Sequence, residues 1–120
     1  MDSQTLGGAR VGLKISERSV DALTAAVELE GELDLYTAAD LNASLVRAMD
    51  VHQCLRVVVD LRRVTAIDFS TIAILSQNAR VLADRHGSME VLCENGDIAR
   101  LLSRAGESGR FEVRVAADER

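Results

Sequence analysis

A chain of 120 residues and 13.0 kDa is the size of one domain, enough to bury roughly two-thirds of its unfolded surface around a single core. Fourteen basic against nineteen acidic side chains leave a net charge of −5, the wrong sign for gripping a nucleic-acid backbone, and only Tyr36, Phe69 and Phe111 could stack on bases. No apolar run reaches the ~20 residues of a membrane span, and Met1 to Thr5 is neither a basic n-region nor an apolar h-region, so a cytoplasmic protein without membrane insertion is expected.

Val11-Gly12-Leu13-Lys14-Ile15 alternates apolar and polar residues and predicts a first strand with one wet face. A polar stretch from Ser16 to Asp21 links it to a second strand carrying Leu23, Ala25, Val27 and Leu29, the two forming an antiparallel hairpin. Gly31-Glu32-Leu33-Asp34 then turns the chain. From about Tyr36 the period becomes helical, with Ala38, Leu41, Leu45, Ala48 and Met49 on one stripe and Thr37 or Asp34 as the cap. Leu55 to Leu61, with its uninterrupted Val57-Val58-Val59, reads as a central strand covered on both faces. Past Arg62-Arg63, the elbow Ile67-Asp68-Phe69-Ser70-Thr71 leads into a helix marked by Ile72, Leu75, Ala79 and Leu82, with Gly87 as its stop. Met89 to Cys93 is a further strand and Asn95-Gly96-Asp97 a capping turn. A short helix follows from Ile98 to Ala105 with Gly106 at its end, and Phe111, Val113 and Val115 alternate in the last strand.

The resulting order, β-β-α-β-α-β-α-β, is an α/β fold with a mixed sheet whose helix-linked strands run parallel. Residues 1–10 are expected to be a flexible arm, 11–117 the domain and 118–120 a tail.

Most catalytic chemistry finds no footing here. His52, His86, Cys54 and Cys93 offer only the local pair His52-x-Cys54, which reads as a surface His and a core Cys rather than a metal site, and the two Cys as buried thiols without a disulfide. Ser70 lacks both glycines of a nucleophile elbow, and neither a phosphate-cradling loop nor a dinucleotide fingerprint occurs, so neither an enzyme nor a cofactor is expected. What remains is the hydroxyl-bearing elbow. Either Asp68 or Ser70 simply caps the helix, or a hydroxyl there accepts a phosphoryl group whose charge of about −1.5 to −2 changes the face shown to a partner.

Gly31-Glu32-Leu33-Asp34, Val57-Val58-Val59-Asp60-Leu61, Val64-Thr65-Ala66-Ile67-Asp68 and Asp68-Phe69-Ser70-Thr71-Ile72 resemble, in order and spacing, motifs of STAS domains of the anti-sigma factor antagonist type. Ile98 to Val113 is similar to that family's last helix and Phe-x-Val strand, so the resemblance runs from Val11 to Val115. It implies a sheet covered by helices mainly on one side and a switch in which an anti-sigma factor with serine kinase activity phosphorylates Ser70, with Thr71 as the alternative acceptor. Unphosphorylated antagonist binds the anti-sigma factor and releases a sigma factor; phosphorylation abolishes the binding and a serine phosphatase restores it. The implied partner-binding residues are Asp34, Asp68, Phe69, Ser70 and Thr71. Phe69 and Thr71 stand where the family has Ser and Gly, enlarging both side chains at the expected docking face. The sequence ends five residues after Val115, where many members carry another helix, and an open edge strand there invites a homodimer. A second implied role is that of a STAS subunit of a transport or signalling assembly, with no phosphorylation.

Overall fold

Alternating burial sets the register of the first hairpin in the computed structural model, which describes residues 9–10, 12–51, 53–94 and 96–116. Strand β2 (Leu13–Asp21) runs antiparallel to β3 (Thr24–Glu32), and a two-residue β1 (Ala9–Arg10) pairs with the outer edge of β2. Ser16 to Asp21, read from sequence as a polar link, is the second half of β2. A strand near the sheet edge with one face open completes its ladder with polar side chains as readily as with apolar ones. Arg18 accordingly pairs with Glu28 across the hairpin at 3.2 Å. The chain turns at Ala22 and Leu23, where the Leu23 amide donates to Asp21 Oδ1 at 2.9 Å, so Leu23 is exposed rather than part of the buried alternation. Ala9 and Arg10 of the expected arm thus join the sheet, while residues 1–8 of that arm, Val11 of the expected first strand, residue 117 at the end of the expected domain and the tail 118–120 lie outside the described residues.

Five further elements follow α1 (Ala38–Val51): β4 (Arg56–Ala66), α2 (Phe69–Asp84), β5 (Ser88–Cys93), α3 (Asp97–Gly109) and β6 (Glu112–Val115). The expected order holds for the five longer strands, and the sheet follows the chain from β1 to β6, with β3 to β6 parallel. Crossovers of one hand that advance a sheet in one direction place their helices on one face. Here α1 packs on β2, β3 and β4, α2 on β5, α3 on β6, and the helices touch one another in sequence. Val27, Val57, Val59 and Val91 from the sheet meet Leu41, Leu45, Leu75, Leu82 and Leu102 from the helices in one core.

Among the described residues no helix lies on the opposite face of the sheet, which corrects the reading of β4 as covered on both sides. Val57, Val59 and Leu61 are buried, whereas Val58 between them is only half-buried. The strand is also longer than its apolar run, continuing through Arg62 and Arg63 to pair Ala66 with Glu32 beyond a bulge. On the uncovered face Glu90 is screened from water by two arginines, Arg56 at 3.0 Å and Arg114 at 2.9 Å.

Two helix ends differ from expectation. At the end of α2, His86 takes the left-handed conformation (φ 64°), while Gly87 is required for space, since a Cβ there would lie 2.3 Å from Leu55 O. Helix α3 runs through Gly106 to Gly109, and Arg110 takes the left-handed position (φ 66°). Gly106 instead lets α3 approach β6, where a Cβ would sit 2.9 Å from the Phe111 carbonyl oxygen. Asn95, part of the expected capping turn, lies outside the described residues, and Gly96 occupies the N-cap without a side-chain bond.

Candidate functional site

Strand β4 leaves the sheet at Ala66, and Asp68 stops the extended chain (φ −133°, ψ −174°) as the N-cap of α2. The first N–H groups of a helix have no partner within it, and a carboxylate at the N-cap supplies one. Asp68 Oδ1 accepts from the Ser70 amide at 3.0 Å, the Thr71 amide at 3.3 Å and the Ser70 hydroxyl at 2.5 Å. The Ser70 hydroxyl bond, followed by the amide bonds from Thr71 and Ser70, outweighs desolvation and holds the Asp68 carboxyl below the usual carboxylate range. Asp68 is therefore an anion, and Ser70 is a half-buried hydroxyl oriented by it.

The neighbours of Ser70 point in opposite directions. Phe69 is 80% exposed, which places an aromatic ring on the surface beside Ser70. Thr71 is 0% exposed and its Oγ1 has no hydrogen-bond partner among the described residues. That corrects both roles read for Thr71: its hydroxyl is inside the protein, out of reach of a modifying enzyme, and its extra bulk over glycine fills the interior rather than the docking face.

A second loop stands beside the elbow. The Leu33 amide donates to Ala66 O at 2.9 Å, bringing the turn after β3 against the end of β4. Asp34 closes that turn, its Oδ1 accepting from the amides of Tyr36 at 2.9 Å and Thr37 at 3.1 Å, while Thr37 Oγ1 accepts from the Asp34 amide at 2.9 Å. These bonds delay the start of α1 to Ala38. They also turn Leu35 and Tyr36 outward, 70% and 80% exposed. Sequence reasoning missed this pair by placing Tyr36 in the helix; the available signal was an apolar dipeptide, Leu35-Tyr36, off the buried stripe and between two turn-forming residues.

The site is thus an anionic cap and an oriented hydroxyl flanked by three exposed apolar side chains. Exposed aromatic clusters of this kind suit a protein partner. None of these residues lines the depression of about 770 Å³ on the uncovered sheet face, where Lys14, Arg62 and Arg63 face Glu28, Glu30 and Asp60 with no dominant sign of charge. Among the described residues no group of three or more His, Cys, Asp or Glu is placed to hold a metal ion. Cys54 and Cys93 are buried free thiols, both pushed up by burial, and His52 lies outside the described residues. Among the described residues no helix is long and apolar enough to cross a membrane.

A mixed sheet with its helices on one face, and an elbow of this kind between its central strand and second helix, defines a domain of the STAS fold. The sequence model of the family described as "Mlab, STAS domain" matches residues 17–112, and the chain belongs to that family. Solved structures agree on the fold. An anti-sigma factor antagonist from Mycobacterium paratuberculosis is similar over 93% of each chain at 20% identity, with a TM-score of 0.75. The anti-sigma factor antagonist SpoIIAA in its unphosphorylated form covers 88% of this chain and 91% of its own at 19% identity, with a TM-score of 0.68. The Bacillus cell fate determinant SpoIIAA in the phosphorylated form is similar at 19% identity over 88% and 93%, with a TM-score of 0.67.

Proposed function

We propose that this protein is an anti-sigma factor antagonist of the cytoplasm that works by binding and is switched at Ser70. The observation that carries the reading is the Ser70 hydroxyl itself, held at 2.5 Å by Asp68 at a helix start beside exposed Phe69, Leu35 and Tyr36. The unphosphorylated chain docks through these residues on an anti-sigma factor with serine kinase activity and thereby releases a sigma factor. The same partner transfers a phosphoryl group. Ser70 Oγ forms a bond to the γ-phosphorus of a nucleoside triphosphate, the bond to the β-phosphate oxygen breaks, and the nucleoside diphosphate leaves as the hydroxyl proton passes to a base of the kinase. A serine phosphatase hydrolyses the ester and restores the hydroxyl. A dianionic group in a closed interface has to be desolvated, and about 2.8 kcal/mol of penalty already lowers affinity a hundredfold.

The test is capture of partners with the wild-type, Ser70→Ala and Ser70→Glu chains, with mass spectrometry of the peptide containing Ser70. A kinase-type anti-sigma factor retained by wild type and Ser70→Ala, weakened by Ser70→Glu, with phosphate on wild-type Ser70, is the expected result. Glu carries less charge than phosphate, so its effect is partial. Equal retention by both variants overturns the switch. The exposed Phe69 in place of the family's serine favours a second reading, a STAS subunit of a transport or signalling assembly. Under that reading the captured partner is a transporter subunit and Ser70 stays unmodified.

A further inference from the structure

Strand β6 forms one edge of the sheet, and among the described residues no strand pairs with its outer side. The Ala116 amide donates to Cys93 O at 2.7 Å, so residues 112, 114 and 116 turn their backbone groups toward β5, and the N–H and C=O of Val113 and Val115 face outward. Edge strands are commonly blunted by a proline, a lysine, a bulge or a covering segment. The opposite edge has two of these devices, since β1 covers the start of β2 and a bulge between Ser19 and Asp21 bends its end. Strand β6 keeps a regular ladder and contains neither proline nor lysine. Its side chains sort by face. Val113 packs against the core and Val115, 41% exposed, lies beside α3, while Glu112 and Arg114 stand on the uncovered face. Arg114 gives its Nε to Glu90 at 2.9 Å, and among the described residues no cation pairs with Glu112, which the register sets next to Glu90.

We propose that β6 is a dimerisation edge that pairs antiparallel with β6 of a second copy about a two-fold axis through Val113. Residues opposite one another across such an axis share a face only when the axis passes through a residue. Centring on Glu112 sets two carboxylates opposite each other and centring on Arg114 sets two guanidiniums so, and like charges directly across a ladder are destabilising. A centre at Val115 runs past the end of the strand. Centring on Val113 sets Glu112 opposite Arg114 of the second copy, twice, while the two Val113 residues exchange both outward backbone hydrogen bonds. The charged pairs then occupy the positions without backbone bonds, where Cα atoms approach to about 4.5 Å and side chains are closest. A guanidinium carries several N–H donors, so Arg114 serves Glu90 through Nε and Glu112 of the second copy through its terminal nitrogens. On the helical side Val115 comes opposite Phe111. A groove of about 670 Å³ between α3 and Val115, lined also by Leu101 and Arg104, opens on this edge and supplies the further surface that so short a ladder needs. The Ser70 elbow follows β4, two strands away, and antiparallel pairing points the two elbows in opposite directions, so both stay open.

The experiment follows the mass of the full chain by light scattering over a range of concentrations, together with backbone amide hydrogen exchange, for wild type, Glu112→Arg and the double variant Glu112→Arg/Arg114→Glu. Wild type is expected to rise from 13.0 kDa toward twice that mass. Glu112→Arg turns both cross-copy pairs into repulsions and is expected to weaken the dimer at least about tenfold. The double variant exchanges the two charges, restores both pairs and keeps a cation in register with Glu90, so its dimer returns. The Val113 and Val115 amides slow with rising concentration in wild type and the double variant and exchange fast in Glu112→Arg. The Arg114 amide, which faces β5, stays slow in the wild-type and Glu112→Arg chains and shows that the sheet is intact. A mass that stays at 13.0 kDa as concentration rises, a dimer that Glu112→Arg leaves unweakened, a double variant that remains monomeric, or a dimer whose Val113 and Val115 amides stay unprotected overturns the proposal. No partner and no phosphoryl group takes part, so the outcome is independent of the switch at Ser70.

Discussion

Thr71 shows how one side chain can sit against the local energetics of its site. Its Oγ1 is buried without a hydrogen-bond partner among the described residues, which leaves a desolvated hydroxyl uncompensated at the start of α2. Replacing a paired threonine by valine costs stability because a hydrogen bond is lost, whereas here only the desolvation penalty is removed and the shape of the side chain is kept. Thr71→Val is therefore expected to stabilise the fold by about 1 kcal/mol, read as a higher urea midpoint at unchanged slope. A lower midpoint would show that the hydroxyl is satisfied by a group other than protein. Phe69 is the converse case, a large apolar side chain in water one turn from the core. Beside an oriented serine and the exposed Leu35 and Tyr36, that exposure reads as a property of the surface rather than a packing fault.

Among the elements, β2 and α1 are held together by a polar clamp that periodicity did not reveal. Glu17 projects from β2 toward the helices, and its Oε2 accepts from the buried Ser44 hydroxyl at 2.5 Å and from Arg47 at 2.7 Å. Ser44 is fully buried and Arg47 half-exposed, so the two partners weigh differently. Glu17→Ala leaves the Ser44 hydroxyl without this acceptor and is expected to cost about 2 kcal/mol, while Arg47→Ala costs under about 1 kcal/mol. In the Glu17→Ala/Ser44→Ala pair the orphaned hydroxyl is gone, so the double variant should lose less than the sum of the singles. Denaturant titration of the four chains checks this, and strict additivity would mean that the short bond contributes nothing particular to the docking of α1. The clamp lies in the segment that sequence reading treated as a link. Ser16 to Asp21 has the composition of a loop because the side chains that pair across a strand near the sheet edge, Arg18 with Glu28 and Glu17 with α1, are charged.

Across the molecule, what was legible is what depends on periodicity and on local chemistry. The three helical stripes, the parallel central strands and the strand-to-helix elbow at Asp68 all follow from spacing, and the Asp68 cap follows from its side chain. Sidedness was not legible from periodicity, because Val57-Val58-Val59 reads the same whether one face or two are covered; only the family resemblance pointed to a single covered face. Nor was the approach of the Asp34 turn to the Asp68 elbow, two loops distant in sequence and tied by the Leu33 to Ala66 bond. The uncovered face shows how a sheet without a second helical layer manages its central strands. Glu90 on β5 is 8% exposed, and the arginines that shelter it come from β4 and β6, so one carboxylate bridges three strands. Either arginine alone still neutralises it. Arg56→Ala and Arg114→Ala should therefore each cost under about 1 kcal/mol, as half-exposed ion-pair partners do. Together they strip a sheltered anion of both counter-charges, and the double variant should lose more than the two singles combined, since an uncompensated buried charge is far costlier than a weakened one. The sign of this coupling is opposite to that predicted for Glu17 and Ser44, because there the second substitution removes the orphaned group and here it creates one. Urea unfolding of the two singles and the double settles it: losses that simply add would mean that Glu90 is solvated well enough to need neither arginine, and that the uncovered face is held by its backbone ladder alone.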